Sequence, residues 1–118
     1  GVRDTISGRR YSDIIEIAKD QIRKTYMSDE ISLNTIAAEV GMSPSYFSSI
    51  FSKEMGKTFV EYLTEIRMDR AKELLMCSSM KTSEIGYEVG YKDPHYFSYI
   101  FKKTQNCTPK EFRARGKE

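Results

Sequence analysis

The chain predicts an all-α domain in which two helix-turn-helix units are joined by a long helix, on three observations. The segment Ser43-Pro44-Ser45-Tyr46-Phe47-Ser48-Ser49-Ile50-Phe51 returns as Asp93-Pro94-His95-Tyr96-Phe97-Ser98-Tyr99-Ile100-Phe101. Each copy follows a short apolar segment that ends in a glycine, Gly41 or Gly90. Between the copies, residues from Phe59 to about 76 keep apolar side chains at helical spacing with neither Gly nor Pro. Tandem duplication, with one residue inserted at the second turn, accounts for the first two.

At 118 residues, 39% hydrophobic and 31% charged, the chain has the length and composition of one globular domain. It holds no apolar run of membrane-spanning length and no signal-peptide pattern, so a cytoplasmic location without a membrane partner is expected. The opening Gly1 points to a piece of a longer protein or a tag remnant. A net charge of +2 does not by itself announce a nucleic-acid binder. Its distribution says more: from Lys92 onward, Lys92, Lys102, Lys103, Lys110, Arg113, Arg115 and Lys117 stand against Asp93, Glu111 and Glu118. Cys77 and Cys107 lack zinc-site spacing, and a lone histidine cannot complete one, so two free thiols and no metal or cofactor are expected.

Residues 1–11, with Gly8, Arg9 and Arg10, read as a loose lead-in to a domain over 12–118. Ser12 then caps a helix to about Thr25 that buries Ile14, Ile17, Ala18, Ile22 and Tyr26. The first helix-turn-helix unit spans about 32–57. Ser32 caps a helix with Leu33, Ile36, Ala37 and Val40 on one side, and Gly41 reverses the chain. Ser43 caps the next helix and Pro44 takes its first position, where a missing N–H costs nothing. Phe47, Ile50, Phe51 and Met55 face inward until Gly56 ends the helix.

Thr58-x-x-Glu61 is a capping box for the linker helix, about 58–77, which buries Phe59, Tyr62, Leu63, Ile66, Ala71, Leu74 and Leu75. At ~1.5 Å per residue it is roughly 27 Å long. The second unit, about 82–106, repeats the first: Ile85, Gly86 and Val89, then Gly90, then Asp93-Pro94, with Asn106 as the left-handed residue in place of Gly56. Thr108-Pro109-x-Glu111 repeats the capping box for a C-terminal helix, about 108–115, with Phe112 at the place of Tyr62. Thr82 for Leu33, and Gly86 for Ala37 at ~1 kcal/mol of helix propensity, make the second unit the less stable one.

These assignments leave Ser45, Tyr46, Ser48, Ser49, Ser52 and Lys53 outward in the first copy, and His95, Tyr96, Ser98, Tyr99, Lys102 and Lys103 in the second. Hydroxyls let a helix come close to phosphates and base edges, and lysines add charge further along. Two such faces, at the ends of a rod comparable with the ~34 Å turn of duplex DNA, suit successive major grooves of double-stranded DNA. The competing function is a helical protein-interaction module that uses the same faces. An enzyme is not expected, for there is no Gly-rich phosphate loop, Ser/His/Asp order or acidic metal cluster. His95 reads as a polar contact, the methionines as core filler, and Arg67 and Arg70 as packing braces or surface ion pairs.

Over about 31–113, the run Leu33…Ile36-Ala37…Val40-Gly41…Ser43-Pro44-Ser45-Tyr46-Phe47…Gly56, then Tyr62-Leu63…Ile66-Arg67…Arg70-Ala71…Leu74-Leu75, then Ile85…Val89-Gly90-Tyr91…Pro94…Tyr96-Phe97…Thr108-Pro109…Phe112-Arg113 resembles the AraC/XylS family. The resemblance implies a seven-helix DNA-binding domain of two homeodomain-like units. It also implies a place at the C-terminus of a bacterial transcription regulator that acts on a promoter operator and RNA polymerase. The opening helix and Asp29-Glu30-Ile31-Ser32-Leu33 are similar to the domains that follow a receiver in YesN-like two-component response regulators. A receiver or sensor domain is therefore expected upstream. Ser49 and Tyr99 stand where many family members place arginine. That implies fewer bidentate guanine contacts and more use of hydroxyls, thymine methyls and DNA shape.

Overall fold

The structure, a computed structural model, describes residues 2–116, with side chains from Tyr11 onward. Among these residues it has seven helices and no strand: α1 (Val2–Thr25), α2 (Leu33–Glu39), α3 (Pro44–Met55), α4 (Phe59–Cys77), α5 (Thr82–Glu88), α6 (Pro94–Gln105) and α7 (Pro109–Gly116). Gly1, Lys117 and Glu118, used in the sequence reading, lie outside the described residues. No helix among them is long and apolar enough to cross a membrane. The chain divides into two compact units. Unit 1 holds α1, α2, α3 and residues 59–63 of α4; unit 2 holds Tyr26–Asp29, the rest of α4, and α5 to α7.

The start of the chain departs from expectation. Residues 2–11 are not a loose lead-in but the opening turns of α1, and Ser12 is an exposed mid-helix residue rather than a cap. No proline interrupts Val2–Thr25, and one glycine, Gly8, costs only ~1 kcal/mol against alanine, too little to stop a helix of this length. The buried stripe also differs. Ile15, Ala18 and Ile22 are in the core, whereas Ile17 is 53% exposed and Ile14 and Tyr26 are half-buried. Three isoleucines within four positions offer two helical stripes, and packing of α1 on α2 and α3 selects the one through Ile15.

Unit 1 is built around stacked aromatics. Phe47 and Phe51, one turn apart on α3, are fully buried with ring centroids 5.6 Å apart. Phe59 and Tyr62 meet Phe51 edge-on at 6.1 and 5.6 Å. Ile36 and Ala37 of α2 are buried, while Leu33, Val40, Ile50 and Met55 lie at the boundary. The start of α2 carries a capping box formed by hydroxyls: Ser32 Oγ accepts the Thr35 N–H, and Thr35 Oγ1 accepts the Ser32 N–H. Gly41 then adopts φ 72° and turns the chain toward α3.

Unit 2 repeats the plan. Phe97 and Phe101 are 5.9 Å apart, and Phe112 meets Phe101 at 5.7 Å as Tyr62 meets Phe51. Met68, Ala71, Leu75, Ile85, Val89 and Cys107 complete that core. Asn106 takes the left-handed conformation at φ 65°, as Gly56 does at 72°. Gly86 has a packing reason: a Cβ there would lie 3.0 Å from the Phe97 ring, so the glycine admits a close approach that costs α5 helix propensity. Lys81, the N-cap of α5, makes no side-chain cap, in contrast to Ser32.

Two arginines brace unit 2 through backbone carbonyls. Arg67 is buried and donates from Nε to the Tyr26 carbonyl at 2.9 Å and from Nη2 to the Ser28 carbonyl at 3.0 Å. Its guanidinium also lies 4.8 Å from the centre of the Tyr91 ring. Arg113 donates to the Leu75 and Ser78 carbonyls at the end of α4. Arg70 pairs with Glu73 on the surface. Of the methionines, Met68 is core, but Met27 and Met76 are 47% and 49% exposed and do not fill the interior. Both cysteines are free thiols, Cys77 exposed and Cys107 buried.

Candidate nucleic-acid interface

Each candidate face is the side of a helix left over when its phenylalanines turn inward. On α3, Ser45, Tyr46, Ser49 and Lys53 are exposed and Ser48 is half-buried beside the core edge. On α6, His95, Tyr96, Tyr99, Lys102 and Lys103 are exposed and Ser98 is half-buried. Neither helix has an acidic residue in its first turn, and the lysines fall in the last turns. The caps hold both helix starts in place. Ser43 Oγ accepts the Tyr46 N–H at 3.2 Å, and Asp93 Oδ1 accepts the His95 N–H at 2.9 Å.

The two faces differ in how their tyrosines are held. On α6, Tyr96 packs against both Tyr91 and Tyr99, at 5.8 and 6.3 Å between ring centres. Lys103 Nζ lies 5.9 Å from the Tyr99 ring, which ties the charge to the aromatic surface. Burial pushes the Tyr91 phenol up, against the opposing influence of Arg67, so that phenol stays neutral. On α3, Ser49 takes the place of Tyr99 and no such ladder exists. Instead the Tyr46 hydroxyl shares a 2.6 Å hydrogen bond with Tyr11 of α1, the rings meeting edge-on at 6.3 Å. That bond, more than burial, raises the Tyr46 pKa. Tyr11 was missed in the sequence because it falls in the segment read as a lead-in, and no spacing signal links it to Tyr46.

A groove of about 650 Å³ in unit 1 is lined by Tyr11, Ile14, Val40, Met42, Ser43 and Tyr46, among others. A second, of about 470 Å³, lies in unit 2 and is lined by Met27, Asp29, Tyr87, Tyr91 and Lys92, among others, so an acid and a base share it. The chemistry these faces and grooves offer is hydrogen bonding, aromatic contact and positive charge.

A family model described as a helix-turn-helix domain matches residues 36–115. The C-terminal domain of AraT, a response regulator from Geobacillus stearothermophilus, has the same fold at a TM-score of 0.85 and 35% identity, over 86% of this chain and 84% of that one. The chain belongs to the AraC family, as a DNA-binding domain. The C-terminal domain of the two-component response regulator yesN from Fusobacterium nucleatum is similar at a TM-score of 0.82 and 35% identity, over 83% of this chain and 95% of that one. An uncharacterized HTH-type transcriptional regulator from Pseudoalteromonas carrageenovora is 36% identical over 85% of this chain. The AraC-type chain described here spans only 58% of that relative's length. These relatives are transcription regulators and response regulators.

Proposed function

We propose that this AraC-type domain binds promoter DNA sequence-specifically with α3 and α6 as its two recognition helices, one in each of two successive major grooves. Ser45, Tyr46, Ser48, Ser49 and Lys53 form the first contact set. His95, Tyr96, Ser98, Tyr99, Lys102 and Lys103 form the second. The observation that carries this reading is that both helices bury matched phenylalanine pairs and leave in solvent matched faces whose first turns hold no acidic residue. The domain works without catalysis, as the DNA-binding end of a bacterial response regulator with a receiver upstream. The likeness to the AraT and yesN C-terminal domains supports that placement. RNA polymerase is the proposed downstream partner. Fluorescence anisotropy on a labelled duplex at several salt concentrations tests the reading. DNA binding through lysines gives affinity that falls steeply with salt. A protein-interaction module gives no such binding.

A further inference from the structure

We propose that α1 belongs to the DNA interface: the Tyr11–Tyr46 hydroxyl pair is a site for one backbone phosphate beside α3. This rests on the reading that α3 meets DNA, and adds a contact that neither copy of the duplicated motif contains.

The two phenol oxygens, 2.6 Å apart, share one hydrogen bond, so one of their two protons lies between them and the other is left to donate outward. A hydroxyl that already accepts a bond is polarised and becomes the better donor. Either oxygen can be the donor, and Tyr46 is 47% exposed with Tyr11 half-buried beside it, so the proton left over on the accepting ring has a way out to an incoming ligand. The Tyr11 bond holds the Tyr46 phenol above its ordinary value, which keeps that phenol protonated and neutral at physiological pH. The adjoining groove is lined by Ile14, Val40, Met42 and the turn at Gly41 and Ser43, with no carboxylate to repel an anion. An acceptor with negative charge and no proton of its own fits that donor, and a DNA phosphate supplies it at the flank of a helix that lies in the groove. In unit 2 the corresponding Tyr96 packs its ring against Tyr91 and Tyr99, a different arrangement from the Tyr11–Tyr46 hydroxyl pair.

The test is anisotropy on a mixed-sequence duplex of ~30 base pairs, for the wild-type chain and for Tyr11→Phe, Tyr46→Phe and the double variant, each at several salt concentrations. Tyr11→Phe keeps the ring and removes only the hydroxyl, and thermal unfolding confirms that each variant is folded. The expected result is a ~3- to 10-fold loss of affinity for Tyr11→Phe at every salt concentration, the scale of one ordinary net hydrogen bond, since the Tyr46 hydroxyl keeps its own proton but loses the partner that polarises it. The salt slope stays unchanged because a neutral donor releases no counterion. The double variant then binds no more weakly than Tyr46→Phe. Unchanged affinity for Tyr11→Phe overturns the proposal, and so does tighter binding, which would mean that α1 restrains Tyr46 from DNA. Loss of salt-dependent binding by the wild-type chain is a separate result, and it would count against the DNA reading itself.

Discussion

A methyl group on Gly90 would stand 2.8 Å from Nη2 of Arg67. It would also lie 2.6 Å from the Tyr26 carbonyl oxygen that Arg67 Nε holds. The turn of the second helix-turn-helix unit thus closes against the arginine that pins the Tyr26–Asp29 segment. Its equivalent, Gly41, faces open space at φ 72°. Gly41→Ala should therefore cost only the left-handed backbone penalty, ~1–2 kcal/mol. Gly90→Ala adds displacement of a buried guanidinium and should cost at least twice as much, on the order of 3 kcal/mol or more. Urea unfolding of the two variants checks this, and equal losses would mean that the contact yields freely.

The α5 start is the one helix start in the duplicated pair without a side-chain cap. Lys81 is exposed and already has the extended backbone of an N-cap, with φ −65° and ψ 150°. Glu84 stands three residues on. Lys81→Ser creates the Ser-x-x-Glu pattern there, and should raise stability by ~1 kcal/mol. The gain should appear as a higher unfolding midpoint, with stronger hydrogen-exchange protection in α5. No change in either would show that α5 is held by its packing through Ile85, Gly86 and Val89 rather than by its start.

Acid should weaken the fold through the two capping boxes. Glu61 accepts the Thr58 N–H at 2.9 Å and Glu111 accepts the Thr108 N–H at 2.8 Å, bonds that hold both carboxyls below the ordinary glutamate value. A depressed carboxyl stabilises the fold fully above its unfolded-chain value of ~4.3, and the stabilisation is lost as the pH falls through the lower folded value. Glu61→Gln with Glu111→Gln keeps an acceptor in each box and removes the titration. Between about pH 6 and about pH 3, the double variant should lose less thermal stability than the wild-type chain. An identical pH profile would place the acid sensitivity elsewhere.

Much of this architecture is legible in the sequence, because the repeated parts are local. The Thr58 and Thr108 boxes, the prolines at the first helical positions and the left-handed Asn106 each follow from a few neighbouring residues. What escaped depends on distant partners. Arg67 reads as a packing brace or a surface ion pair, and only the fold decides for the brace, because its partners are carbonyls 39 and 41 residues away. Ile15 displaces Ile14 and Ile17 from the core because α2 and α3 decide which stripe of α1 is covered. Gly86 reads as a weakness until the Phe97 ring is seen against it. Tyr11 belongs to the same class, since nothing nearby in the chain marks it as the partner of Tyr46.

Base reading and charge should separate on α6. Lys103→Ala should weaken binding on every duplex alike and lower the salt slope by about one unit. Tyr99→Phe keeps the ring that meets Lys103 and Tyr96 while removing the hydroxyl, so it should reorder preference among duplexes with little change in slope. A panel of single-base variants of one selected site, titrated with both proteins, distinguishes them. Matching profiles would show that Tyr99 does not read bases.

In the proposed complex, α3 and α6 both face DNA. The most direct test of that placement is the change in backbone amide resonances of the isotope-labelled domain when a duplex recovered from a random library by this protein is added. The largest changes should fall in two sets, Ser45 to Ser49 with Lys53 and His95 to Tyr99 with Lys103, and both should saturate together at one duplex per chain. Changes confined to α4 and α7, or to one of the two sets, would contradict it.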